Sequence, residues 1–165
     1  MKNIYILSIF IFLLSGLLSP VAGQSRKNDV ALEQVPAEVL QVLNAYAKVL
    51  SSESLEKCAE SFFAIAGGGL VDPSGQKLGI DVPQFSLKKD FNNIKFYAQP
   101  LQITRVNRSW SNGDGYGDSA IKGWVYKIWI GKKKGVNGMP APVSIMVPED
   151  HPKVKSPKVI GIGSL

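Results

Sequence analysis

Reactive side chains are scarce in this sequence. Its 165 residues hold one cysteine, Cys58, and one histidine, His151. A lone cysteine excludes an internal disulfide, and its place on an apolar helical stripe makes it a buried core thiol rather than a nucleophile. A lone histidine leaves structural zinc, which takes four nitrogen or sulfur ligands, without a ligand set. Glu149, Asp150 and His151 are adjacent in sequence and do not converge easily on one ion, so Pro148 to Pro152 reads as a solvated loop. The Gly-Lys-Ser/Thr ending of a phosphate-binding loop and the Gly-x-Ser-x-Gly nucleophile turn are both missing. No catalytic residue, metal ligand or cofactor is therefore assigned.

What is present begins with an address. Lys2 precedes an apolar run from Ile4 to Leu18, and Ser19-Pro20-Val21-Ala22-Gly23 follows. A basic start, an apolar run and small residues at the exit compose a secretory signal, with cleavage expected after Gly23. The run is shorter than the roughly 20 apolar residues of a bilayer helix, so membrane contact follows only if the signal stays uncleaved. The expected protein is secreted or periplasmic: a signal over residues 1–23, a flexible leader over 24–35 and a single domain over 36–165. Asn107-Arg108-Ser109 matches the N-glycosylation triplet, which matters only in a eukaryotic secretory pathway.

Charge is divided along the chain. Residues 24–87 carry five basic and eight acidic side chains, and residues 88–165 carry thirteen basic and five acidic ones. The basic half suits an anionic surface contact through Lys122, Lys127, Lys132, Lys133 and Lys134. Lysine-edged strands that discourage aggregation explain the same charge. The lysines lack the interleaved surface aromatics of a single-strand binder, so no nucleic acid is expected.

Periodicity places the elements. From Pro36, Val39, Val42, Leu43, Tyr46, Val49 and Leu50 recur at helical spacing, which predicts about four helical turns. Ser52 can cap a second helix, with Leu55, Cys58, Ala59, Phe62 and Phe63 as its stripe. A glycine- and proline-rich stretch over 67–84 follows, with Leu70-Val71 as a short strand and a helical turn or two over 85–91. Strands are predicted over 94–108, 120–130, 141–147 and 158–162. Of these, 120–130 is the strongest, with Lys122, Trp124, Tyr126, Ile128 and Ile130 on one face.

The stretch WSNGDGYGDSA (110–120) raises its own question. As a helix–loop–helix calcium site it fails at Tyr116 and Gly123, which stand where an oxygen ligand and the closing glutamate belong. Asn112-Gly113 instead suits a hairpin turn, since both residues tolerate positive φ.

Two helices, a turn-rich stretch, a short helix and then strands predict an α+β fold, with N-terminal helices on a curved, mostly antiparallel sheet. "LNAYAKVLSSESLEKCAESFF", "GGGLVDPSGQ", "KGWVYKIWI" and "APVSIMV" resemble the nuclear transport factor 2-like superfamily, a cystatin-like α+β cone that includes polyketide cyclases, ketosteroid isomerases and binding domains. The resemblance implies a cavity in the cone, for which Tyr46, Phe62, Tyr97, Trp124, Tyr126 and Trp129 are the candidate lining. It also implies that an enzyme of this kind would hold an Asp or Tyr there. Asp72, Asp81 and Asp90 sit in turns or beside lysines, so none is assigned. The expectation is a non-enzymatic domain that binds a small molecule or a protein partner through the cavity or a sheet face, and a sheet-mediated homodimer is compatible with it. The alternative is a small cyclase, isomerase or dehydratase working by acid/base chemistry.

Overall fold

The computed structural model describes residues 28–165; the expected secretory signal and the first leader residues lie outside them. Helix α1 (Ala37–Leu50) follows Pro36, which stands at its N-cap. It buries Val39, Leu43, Tyr46 and Leu50 of the expected stripe, with Ala47 beside them, while Val42 and Val49 are only partly buried against the core. Helix α2 (Leu55–Phe63) begins at Ser54, whose side chain accepts the Lys57 amide at 3.2 Å. That bond satisfies one of the amides a helix start leaves open. Ser52, the expected cap, instead donates to the Val49 carbonyl at 2.6 Å and closes the end of α1. Cys58 is fully buried on α2, and burial pushes its thiol up to about 11.

The next segment is less regular than expected. Gly68–Leu70 is a single 3-10 turn, and the short strand expected at Leu70-Val71 reduces to one bridge between Val71 and Leu78. A π-helical turn, Val82–Ser86, runs into α3 (Leu87–Asn93). The strand expected from Ile94 starts only at Ile103, because Ile94–Phe96 continues as a 3-10 turn. Leu87, Asp90 and Ile94 are all buried, so the helical stripe carries through the residues whose alternation suggested a strand.

Four strands follow among the described residues: β1 (Ile103–Asp114), β2 (Ile121–Ile130), β3 (Ala141–Pro148) and β4 (Lys158–Gly161). They form one antiparallel sheet in chain order. The helices pack on one face of it, so the expected α+β arrangement of N-terminal helices on an antiparallel sheet is the one observed. Both sheet edges are partly covered, which limits edge-to-edge pairing. Residues 28–30, within the stretch expected as a flexible leader, lie along β1: the Val30 amide donates to Val106 at 3.1 Å, and the Arg108 amide donates to Asn28 at 2.9 Å. On the far edge, Ala66 pairs with Val159 of β4.

The 110–120 stretch joins β1 to β2, but its turn is not at Asn112-Gly113. β1 runs through both residues, with a register shift between Ser111 and Asp114. The chain reverses over 115–120, where Gly115 and Gly117 have φ of +88° and +58°. The reversal is docked on the glycine-rich segment. Asp114 accepts the Gly69 amide at 2.6 Å, and a Cβ on Gly115 would stand 2.7 Å from the Gly68 carbonyl carbon.

Candidate functional site

The aromatic residues expected to line a cavity divide into two groups. Tyr46, Phe62, Tyr97 and Tyr126 are each no more than 5% exposed and belong to the core between helices and sheet. The rings of Tyr46 and Phe62 stand 5.5 Å apart. Trp124 and Trp129 lie on the sheet surface instead, and each carries an arginine on its ring.

The centre of the first group is a buried carboxylate. Asp90 of α3 is fully buried. It accepts the Tyr46 hydroxyl at 2.7 Å, the Gly163 amide at 2.7 Å and the Leu165 amide at 2.9 Å. Asn93 donates to the Leu165 carbonyl and Lys89 to the Gly163 carbonyl, so α3 holds residues 163–165 at several points. Burial raises the Asp90 carboxyl despite these donors. Burial, with the nearby Asp90 charge second, raises both Tyr46 and Tyr97. An acid on the inward side is thus present where the sequence suggested only exposed ones, and its oxygens are occupied by the chain itself. Beside it, Tyr97 and Lys132 meet at a cleft of about 450 Å³ whose wall includes Leu165.

The second group follows from strand register. Side chains alternate across a sheet, so the cross-strand pairs Val106–Ile128, Arg108–Tyr126 and Trp110–Trp124 share the face on which Val106, Ile128 and Tyr126 meet the helices. Exposure rises along that row, from 3% at Val106 to 40% at Trp110 and 37% at Trp124. The helix layer therefore ends before the strands do. On the uncovered end, the Arg108 guanidinium lies 3.7 Å from the Trp124 ring centre, and the Trp110 and Trp124 rings meet edge-on at 5.3 Å. The Trp110 indole nitrogen is fixed by Asn112 Oδ1 at 2.8 Å. On the opposite face Arg105 stacks on Trp129 at 3.4 Å, with Lys127 5.4 Å from the same ring.

Stacking holds a guanidinium flat and leaves the N–H groups at its edge, rather than its face, to meet an acceptor. Among the described residues no carboxylate forms an ion pair with Arg105 or Arg108, and the Nε atom of each is buried without a partner. Along β1 and β2 the cations are Arg105, Arg108, Lys122 and Lys127; the one acid is Asp114, which faces the Gly69 amide. Asp29, beside Asn107, is the acid on the adjoining segment.

The five lysines proposed as an anion surface do not form one patch. Lys122 is near the start of β2 and Lys132 lies just past its end, so the two stand at opposite ends of a strand roughly 30 Å long at a strand's rise per residue. Lys132 is drawn inward, pairing with Tyr97 and donating to the Asn137 carbonyl. Lys133 and Lys134 are exposed at a turn. His151 is engaged by its own loop, where Nδ1 accepts the amides of Lys153 and Val154. Among the described residues no group of three or more His, Cys, Asp or Glu side chains is placed to hold a metal ion.

Arg105, Arg108 and Trp110 escaped the sequence reading. The signal was there, in TRVNRSW opposite GWVYKIW, but pairing each arginine with its tryptophan requires the cross-strand register. No protein-family model, curated protein or solved structure matches this chain at a significant level. The fold and the site geometry are what bear on function.

Proposed function

We propose that this protein is a secreted or periplasmic, non-enzymatic binding domain that holds an acidic polysaccharide on the uncovered end of its sheet. The observation that carries this reading is Arg108, flattened on Trp124 beside the exposed Trp110, with no carboxylate partner among the described residues. Carboxylate or sulfate groups of a glycan accept from such a guanidinium fork. The neighbouring indole surface suits the C–H faces of sugar rings. The arginine already covers Trp124, which disfavours the base stacking that single-stranded nucleic acid relies on.

The order of helices and strands also favours the nuclear transport factor 2-like cone. Within that fold this reading places binding on the sheet rather than in a cavity, because Tyr46, Phe62 and Tyr126 fill the space between helices and sheet. The secretory signal read in residues 1–23 supplies the compartment, one where acidic glycans are accessible. The acid/base reading rests on the buried Asp90–Tyr46 pair and requires residues 163–165 to leave Asp90 first.

The test is calorimetric titration of the full secreted chain with polygalacturonate and with heparin. Binding should be salt-dependent, strongly reduced in Arg108→Gln, and much less affected in Lys133→Gln/Lys134→Gln. Equal binding by neutral dextran, or an Arg108→Gln variant that binds as well as the parent, would refute the reading. Tighter binding to single-stranded oligonucleotides would replace it with a nucleic-acid function.

A further inference from the structure

A second site lies away from the tryptophans, where the end of α2, the glycine-rich segment, the β1–β2 connection and the loop before β4 converge. They enclose a cleft of about 500 Å³, within the range of small-molecule sites. Its geometry starts from Gly67-Gly68, directly after α2. The Gly67 amide donates to Val159 at 2.9 Å, and the Val159 amide donates to Ile65 at 2.8 Å, so residues 65–67 run alongside β4. The approach is so close that a Cβ on Gly67 would stand 2.6 Å from the Lys158 Cβ. The missing side chain lets the Lys158 stem lie across the backbone and carries its amine to the cleft.

That amine is incompletely used. Lys158 Nζ donates to the Ala64 carbonyl at 2.7 Å, and an ammonium has three protons to donate. No carboxylate pairs with it among the described residues. Burial lowers its pKa below the usual lysine range, as expected for a cation without a counter-charge. The other charged groups of the cleft, Asp118 and Lys153, already neutralise each other at 2.8 Å. One uncompensated positive charge remains. Around it, Phe63, Val71, Ile121 and Val154 supply apolar wall, and Phe63 is 36% exposed at the rim.

We propose that this cleft binds a small monocarboxylate with an aromatic or alkyl body, its carboxylate on the Lys158 ammonium and its body against Phe63 and Ile121. A single free cation matches a monoanion better than a phosphate dianion, and the wall of Phe63, Val71, Ile121 and Val154 favours a ligand with an apolar body. The site is separate from the Arg108–Trp124 surface and stands whether or not that surface binds a glycan.

4-Phenylbutyrate is a suitable probe, followed by amide NMR shifts of the wild-type protein and by calorimetry. The expected result is saturable binding that moves the Gly67, Gly68 and Ile121 amides. Lys158→Met keeps an unbranched stem over Gly67 and should weaken binding by about tenfold or more, as expected for loss of a hydrogen bond to a charged group. 4-Phenylbutan-1-ol, the same body without the charge, should bind the wild-type protein comparably weakly, and this comparison requires no variant. The proposal is overturned if phenylbutyrate moves none of those amides, if the alcohol binds as well as the acid, or if a folded Lys158→Met protein retains full affinity.

Discussion

Asp90 and Tyr46 meet 2.7 Å apart in the core, a carboxylate from α3 against a phenol from α1, and the same Asp90 oxygen accepts the Gly163 amide. This junction ties α1, α3 and residues 163–165 together. Replacing Tyr46 by Phe removes one donor to a buried charged group. The expected cost is about 1.5–3 kcal/mol of stability, readable as a lower midpoint in urea unfolding.

Asp90 also gives stability a pH dependence of definite sign. Burial raises its carboxyl above the ordinary value, so the folded state binds its proton more tightly than the unfolded state does. Its ionisation contribution is fully present below the unfolded carboxylate pKa and is lost as pH rises through the higher folded value. The stability gap between wild type and Asp90→Asn should therefore narrow as pH rises across that window. A gap that widens with pH would mean that the three donors outweigh desolvation.

The Gly115 turn makes a contrast available within one loop. Gly115 has φ of +88°, with the Gly68 backbone where a Cβ would go, whereas a Cβ on Gly113 would find nothing within 4 Å. Gly115→Ala should cost about 1–3 kcal/mol and lower the Tm by several degrees, while Gly113→Ala should be close to neutral. If Asn112-Gly113 were the hairpin turn, the order would reverse.

Cys58 reports on opening of the helical layer. The thiol is fully buried and its pKa stands near 11, so at neutral pH it is neither exposed nor ionised. An aromatic disulfide reagent should label it only at the rate at which α2 opens or the protein unfolds, and fast labelling of the native protein would contradict the packing.

Much of the fold was legible because it is written in apolar spacing. Helices α1 and α2 and the strong β2 run all formed where expected, although Phe63, at the end of the α2 stripe, is exposed. Ile94-Lys95-Phe96-Tyr97 misled because an alternating apolar tetrapeptide also completes a helical stripe that starts at Leu87. Asp90 was illegible for a related reason. Next to two lysines a carboxylate reads as exposed, although Leu87, Asp90 and Ile94 lie at helical spacing on one buried face. The Arg108–Trp124 pair lies sixteen residues apart in sequence and comes together only through the β1–β2 register. Side-chain identity suggested surface or core for each residue separately, but the site is a property of the pairing.

The most direct test of the binding surface is a residue-resolved NMR titration of the protein with an oligogalacturonate, read at the indole N–H signals. Trp110 and Trp124 should shift together with the Arg108 side chain, and Trp129, on the opposite face, should stay in place. Shifts confined to Trp129 or to the Lys133-Lys134 turn, or no shift at any indole, would contradict the assignment of binding to the Arg108–Trp124 end of the sheet.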